Sequence, residues 1–167
     1  MDVVLRTIQH EFSDVADAEA FTRVLVRLLV AAMLGGLLGL ERELTGKPAG
    51  LRTHMLVALG SAMFVTAAAQ TGMDDDGMSR VIQGLLAGVG FLCAGAILKS
   101  GHQEHVYGLT TAAGLWMTAA IGVAAGLGKE TLAVISTLLT LGILMLERPI
   151  QRLLDTRRGR GDRNEPS

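Results

Sequence analysis

Five uncharged, largely apolar runs, at residues 28–40, 54–73, 81–98, 106–128 and 131–146, fill the centre of this chain, and between residues 28 and 146 the charges are confined to the short segments that join them. A hydrocarbon core about 30 Å thick takes about 20 helical residues, so the second, third and fourth runs are long enough to span it. The first is shorter and must recruit residues before it, which draws Arg23 and Arg27 toward the bilayer. The fifth can borrow Lys129 and Glu147 at its ends by snorkelling. The pattern therefore predicts an all-α integral membrane protein. It is read as a bundle of five transmembrane helices at about 22–41, 54–72, 81–99, 107–127 and 130–147, within a domain at 22–147. A soluble fold would need five nearly all-apolar helices in 167 residues, with too little outer shell to cover them. Before the bundle, residues 1–21 carry Leu5, Ile8, Phe12 and Val15 at helical spacing interrupted by charge, which reads as an outer-face amphipathic helix or a disordered segment.

Charge sets the orientation. Ten of the 15 lysines and arginines fall on one side: Arg42, Lys47 and Arg52 in the first loop, Lys99 in the third, and six arginines in the tail at 148–167. Short loops rich in these residues stay cytoplasmic, so the amino terminus is placed outside and the carboxyl terminus inside. The basic tail reads as a solvated orientation anchor, not a nucleic-acid site. No cleavable signal is evident. The only cysteine, Cys93, lies within the third run, which leaves neither a disulfide framework nor a cysteine metal cluster.

The 21 glycines are concentrated in ridges. Ala31, Gly35 and Gly39 recur every four residues in the first span, Gly84 and Gly88 in the third, and Gly114, Thr118, Gly122 and Gly126 in the fourth. Helical period puts each set on one face, where backbones can approach closely, either within one bundle or across a homodimer interface. Arg27 lies fourteen residues before Glu41, about 21 Å along a helix. It either snorkels to the outer surface or lines an intramembrane polar cavity with Gln70 and Gln83. Trp116, near the middle of its span, is a packing residue rather than an interfacial anchor.

The densest chemistry lies at residues 39–61. Glu41, Arg42, Glu43 and Arg52 put four charges at a membrane boundary, Pro48 and Gly50 turn the chain, and Thr53 is placed to cap the second span. Thr110 and Thr111 begin the fourth span on the same side, where their hydroxyls can cap it or reach the first loop. Asp74, Asp75 and Asp76 are the candidates for binding hydrated magnesium outside, Glu41 with Glu43 inside, and His102, Glu104 and His105 for a transition metal. No GxSxG frame, P-loop or dinucleotide fingerprint is present, which argues against an enzyme.

Four ordered blocks resemble the MgtC/SapB family of membrane proteins: GLLGLERE at 36–43, AGLRTHMLVALGSAMF at 49–64, VGFLCAGAILK at 89–99 and YGLTTAAGLWMTAAIGVAAGLG at 107–128. The likeness covers the first four spans. Two departures stand out: Cys93 replaces the internal glycine of a block that usually reads GFLGAG, and Thr110 and Met117 stand where some members carry Asn and Cys. The resemblance implies a bacterial inner-membrane protein of magnesium homeostasis, active when magnesium is scarce. In some members that role is regulatory, acting on other membrane proteins including ATP synthase. Longer members add an ACT-like cytosolic domain, and this chain reads as a short form without it.

Two hypotheses follow. An interaction module would use its small-residue faces and inner charged loop against a second copy of itself or another integral membrane protein, with its helices packed dry. A transporter or channel for magnesium or another small solute would need carboxylates facing a wet path, and the second, third and fourth runs contain no acidic residue. No cofactor is expected beyond magnesium as ligand or solute; the partners are the lipid bilayer and another membrane protein or second copy.

Overall fold

The structure is a computed structural model that describes residues 2–11, 18–98 and 108–146. It contains six helices among these residues and no strand: α1 (Asp2–Glu11), α2 (Ala18–Leu44), α3 (Leu51–Gln70), α4 (Asp75–Leu98), α5 (Leu109–Gly126) and α6 (Glu130–Met145). The basic tail and the His102, Glu104 and His105 group lie outside the described residues.

Helices α2 to α5 are each long and apolar enough to cross a membrane; α6 is apolar but has 16 residues. Each overlies one of the five expected spans, with displaced ends. Helix α2 runs through Glu41 to Leu44, and α4 starts six residues before its apolar run. Charge limits how deep a residue sits in a membrane, but caps decide where a helix stops. The first-turn acids Asp75 and Asp76 favour a helix start, because they face the positive end of its dipole. Helix α1 packs against none of the others, and its Val3, Val4, Leu5 and Ile8 are exposed.

Helix α5 touches α2, α3, α4 and α6, while α3 lies against α2 on one side and α5 on the other. Small residues permit this. A Cβ on Gly35 would sit 2.7 Å from both the Ala58 Cβ and the His54 carbonyl oxygen, and one on Gly39 would sit 2.7 Å from the Leu51 Cα. On the opposite flank of α3, a Cβ on Gly126 would meet the Ala62 carbonyl oxygen at 2.7 Å, and one on Gly122 would strike the Ala58 carbonyl. The glycine ridges of α2 and α5 therefore close on the alanine face of α3, as in lipid, where close backbone approach replaces the hydrophobic driving force. Ala31, Leu34, Leu38, Ala58, Ala62, Ile121, Ala125 and Ala133 form the core, while bulky residues such as Met33, Phe64, Phe91, Leu138 and Ile143 face outward.

The third ridge behaves differently. Gly84 and Gly88 are exposed, and a Cβ on either meets nothing within 4 Å, so among the described residues they do not pack helix against helix. Gly114 is a milder exception, in ordinary contact with the His54 ring at 3.6 Å.

Candidate functional site

The charged end of α2 is held by backbone geometry first. Lys47 N–H donates to the Arg42 carbonyl and Gly46 N–H to the Glu43 carbonyl, both at 3.0 Å, with Gly46 at φ +68°. This is a Schellman ending, and its left-handed residue is the reason for a glycine at that point. The chain then turns through Pro48 and the buried Ala49 into α3, whose N-cap is Gly50. Gly50 has no side chain to cap with, and Glu43 supplies the acceptor: its Oε2 takes the Leu51 N–H at 2.8 Å. Thr53 does not cap the helix. It lies two residues inside α3 and is exposed, as is Arg52, because the helix starts three residues earlier than the charge pattern implied.

Arg42 is fully buried, and its Nη1 approaches Glu41 Oε2 at 3.5 Å. Glu41 is half-buried beside a cleft of about 320 Å³ between α2 and α6, where Leu37, Leu40, Leu44, Leu141 and Met145 surround it. The three consecutive charged residues thus take three directions: Glu41 toward α6, Arg42 into the bundle, Glu43 onto the start of α3.

Near Gly39 and Gly114 lies His54, fully buried. Its Nδ1 is 2.7 Å from Thr118 Oγ1, and that hydroxyl donates to the Gly114 carbonyl at 2.9 Å. With its one proton so used, Thr118 accepts from His54 Nδ1–H. His54 Nε2 is buried and has no hydrogen-bond partner among the described residues. His54 and Thr118 tie α3 to α5 and were not singled out as site residues from sequence. The available signal was spacing: His54 shares the small face of Ala58 and Ala62, and Thr118 interrupts a glycine ridge.

At the other end of the bundle Arg27 does not form a polar cavity with Gln70 and Gln83. Its Nη1 donates to the Gly126 carbonyl at 3.2 Å, where Thr66 Oγ1 also donates at 3.3 Å. Gly126 is the last residue of α5, so the guanidinium meets unsatisfied carbonyls at the negative end of a helix dipole. Gln70 and Gln83 are exposed, and among the described residues Gln83 reaches only Ser79 on its own helix, at 3.4 Å. Asp74 Oδ1 accepts the Gly77 N–H at 2.8 Å and so caps α4, with Asp75 and Asp76 exposed in its first turn. Thr110 and Thr111 fall in the first turn of α5, as expected, but neither caps it; the N-cap is Gly108, without a side-chain bond, and Thr111 is buried. Among the described residues no group of three or more His, Cys, Asp or Glu is placed to hold a metal ion.

The sequence profile of the MgtC family matches residues 28–153, from α2 past the end of α6. The chain belongs to the MgtC family. It is 44% identical over 138 residues to the protein SrpB of Synechococcus elongatus, covering 76% of each chain. It is 41% identical over 127 residues to the "Putative magnesium transporter YhiD" of Escherichia coli K12, covering 72% of this chain and 58% of that one. To the protein MgtC of Salmonella typhimurium it is 41% identical over 130 residues, covering 77% of this chain and 54% of that one. The matched segment thus spans little more than half the length of YhiD and MgtC. No solved structure matches the chain significantly. With family membership and four membrane-capable helices, this is a membrane protein. At the departure from the family's glycine block, the Cys93 thiol of this MgtC-family chain donates to the Ala112 carbonyl at 3.2 Å, between α4 and α5.

Proposed function

We propose that this MgtC-family protein is a multi-pass protein of the bacterial inner membrane that serves adaptation to low magnesium by regulating another membrane protein. It crosses the bilayer five times, with its amino terminus outside and the α2–α3 loop inside. α6, with 16 residues, crosses with local thinning or the help of its flanking charges. The observation that carries the regulatory reading is how the interior is filled. Gly35, Gly39, Gly122 and Gly126 bring backbones into contact along α3, and the interior hydroxyls are spent on carbonyls. Ser61 donates to Val57, Thr137 to Ala133 and Thr140 to Ser136, each on its own helix, and Thr66 donates to Gly126. Magnesium sheds water reluctantly and asks for carboxylate oxygen, and the buried residues of this bundle are small, apolar or hydroxylic apart from Arg42 and His54. Two cationic or neutral nitrogen groups are poor company for a divalent cation. The surface offered to a partner is the charged end of α2, held by the Glu43 cap and flanked by exposed Arg52.

The name of YhiD supports a second reading, transport of magnesium, with Glu41, the half-buried carboxylate in the cleft between α2 and α6, as its ligand. Expression in a bacterium deleted for its own family member separates the two. Growth restored at limiting magnesium without a rise in cell magnesium content is the expected result. Growth restored together with magnesium accumulation, and lost in Glu41→Gln, would favour transport.

A further inference from the structure

A cleft of about 650 Å³ runs between α3 and α4, walled by Leu56 and Phe64 on one side and Leu85 and Leu92 on the other. Its floor is made of glycine. A Cβ on Gly60, Gly84 or Gly88 meets nothing within 4 Å, so these glycines do not let two backbones touch; they keep a channel open. We propose that this cleft holds one acyl chain of a phospholipid whose phosphate is bound by Arg80.

Three observations identify the occupant. The first is length. The lining of α4 runs from Arg80 to Leu92, a rise of about 18 Å from the first to the last, close to the depth of one leaflet of a core about 30 Å thick. The second is polarity. Ser61, the one hydroxyl in the lining, is buried and already donates its proton to the Val57 carbonyl, so beyond Arg80 the lining side chains offer no free donor and are otherwise apolar. An apolar slot open to the bilayer fills with hydrocarbon, because an empty one forfeits dispersion contacts on every wall. The third is charge. Arg80 is the only ionised residue of the lining; it is exposed and forms no ion pair or hydrogen bond with the described residues.

The neighbouring Asp74, Asp75 and Asp76 make the surroundings of Arg80 net acidic, which selects a zwitterionic headgroup over an anionic one. The occupant is therefore a phosphatidylethanolamine-type lipid. A helix from a second copy would cover the exposed glycines but leave Arg80 without an anionic partner.

Native mass spectrometry of the purified full chain in detergent tests this, with phosphatidylethanolamine titrated in and phosphatidylglycerol as comparison. The wild type is expected to hold one phosphatidylethanolamine through delipidation. The double variant Gly84→Leu, Gly88→Leu, which fills the cleft from open space, should lose at least tenfold in retention, and Arg80→Gln severalfold. Gly95→Leu, on the same helix outside the cleft, should retain lipid like wild type. Should the double variant melt early, Gly60→Leu repeats the test from α3. Retention unchanged by filling the cleft, preference for phosphatidylglycerol, or a wild-type dimer that the leucine variants convert to lipid-free monomer would each overturn the proposal.

Discussion

The glycines of α2 and α5 and those of α4 look alike in sequence and differ in what surrounds them. Gly122→Ala places a Cβ against the Ala58 backbone, which cannot yield as a side-chain tip can. Overpacking of this kind costs about 1–3 kcal/mol. Gly84→Ala meets open space within a helix and should stabilise by about 0.5–1 kcal/mol through helix propensity. Thermal unfolding in detergent reads both, and equal effects would contradict the packing described. His54 and Thr118 supply a second residue-scale test. Thr118→Val leaves His54 Nδ1 buried without its partner, a cost of about 1–3 kcal/mol. Adding His54→Leu should recover part of it, and additive losses would mean that the two side chains do not act as a pair.

At the scale of the elements, the helix ends carry the information that apolar runs leave out. Glu43→Ala removes the acceptor for Leu51 N–H and should cost about 1 kcal/mol, whereas Glu43→Gln keeps an oxygen there and should cost less. Arg27→Leu should fray the end of α5, raising hydrogen exchange at residues 127–129 while leaving α3 protected. The sequence revealed each helix because uncharged runs of membrane length are rare for any other reason. It misplaced the start of α3 because Thr53 offered a familiar capping side chain, while the working cap, Glu43, lies eight residues from Leu51 and belongs to the preceding helix. It did not give Arg27 its carbonyl partner because the end of α5 is about a hundred residues away in sequence, and nothing local points to it.

For the whole molecule, α5 touches the other four helices of the bundle, and the outward surface is bulky and apolar. Spacing alone identified the glycine faces of α2, α4 and α5 but not which would find a partner, since that depends on the order in which helices pack. The resulting bundle is closed where α2 and α5 meet α3 and has a cleft between α3 and α4. The most direct test of a regulator with a closed interior is magnesium uptake into proteoliposomes containing the purified protein, beside Glu41→Gln and a variant with Asp74, Asp75 and Asp76 all changed to Asn. The account expects no uptake above empty liposomes from folded protein of any of the three. Saturable uptake by the wild type, abolished by either change, would contradict it and place the mouth of a transport path at that carboxylate.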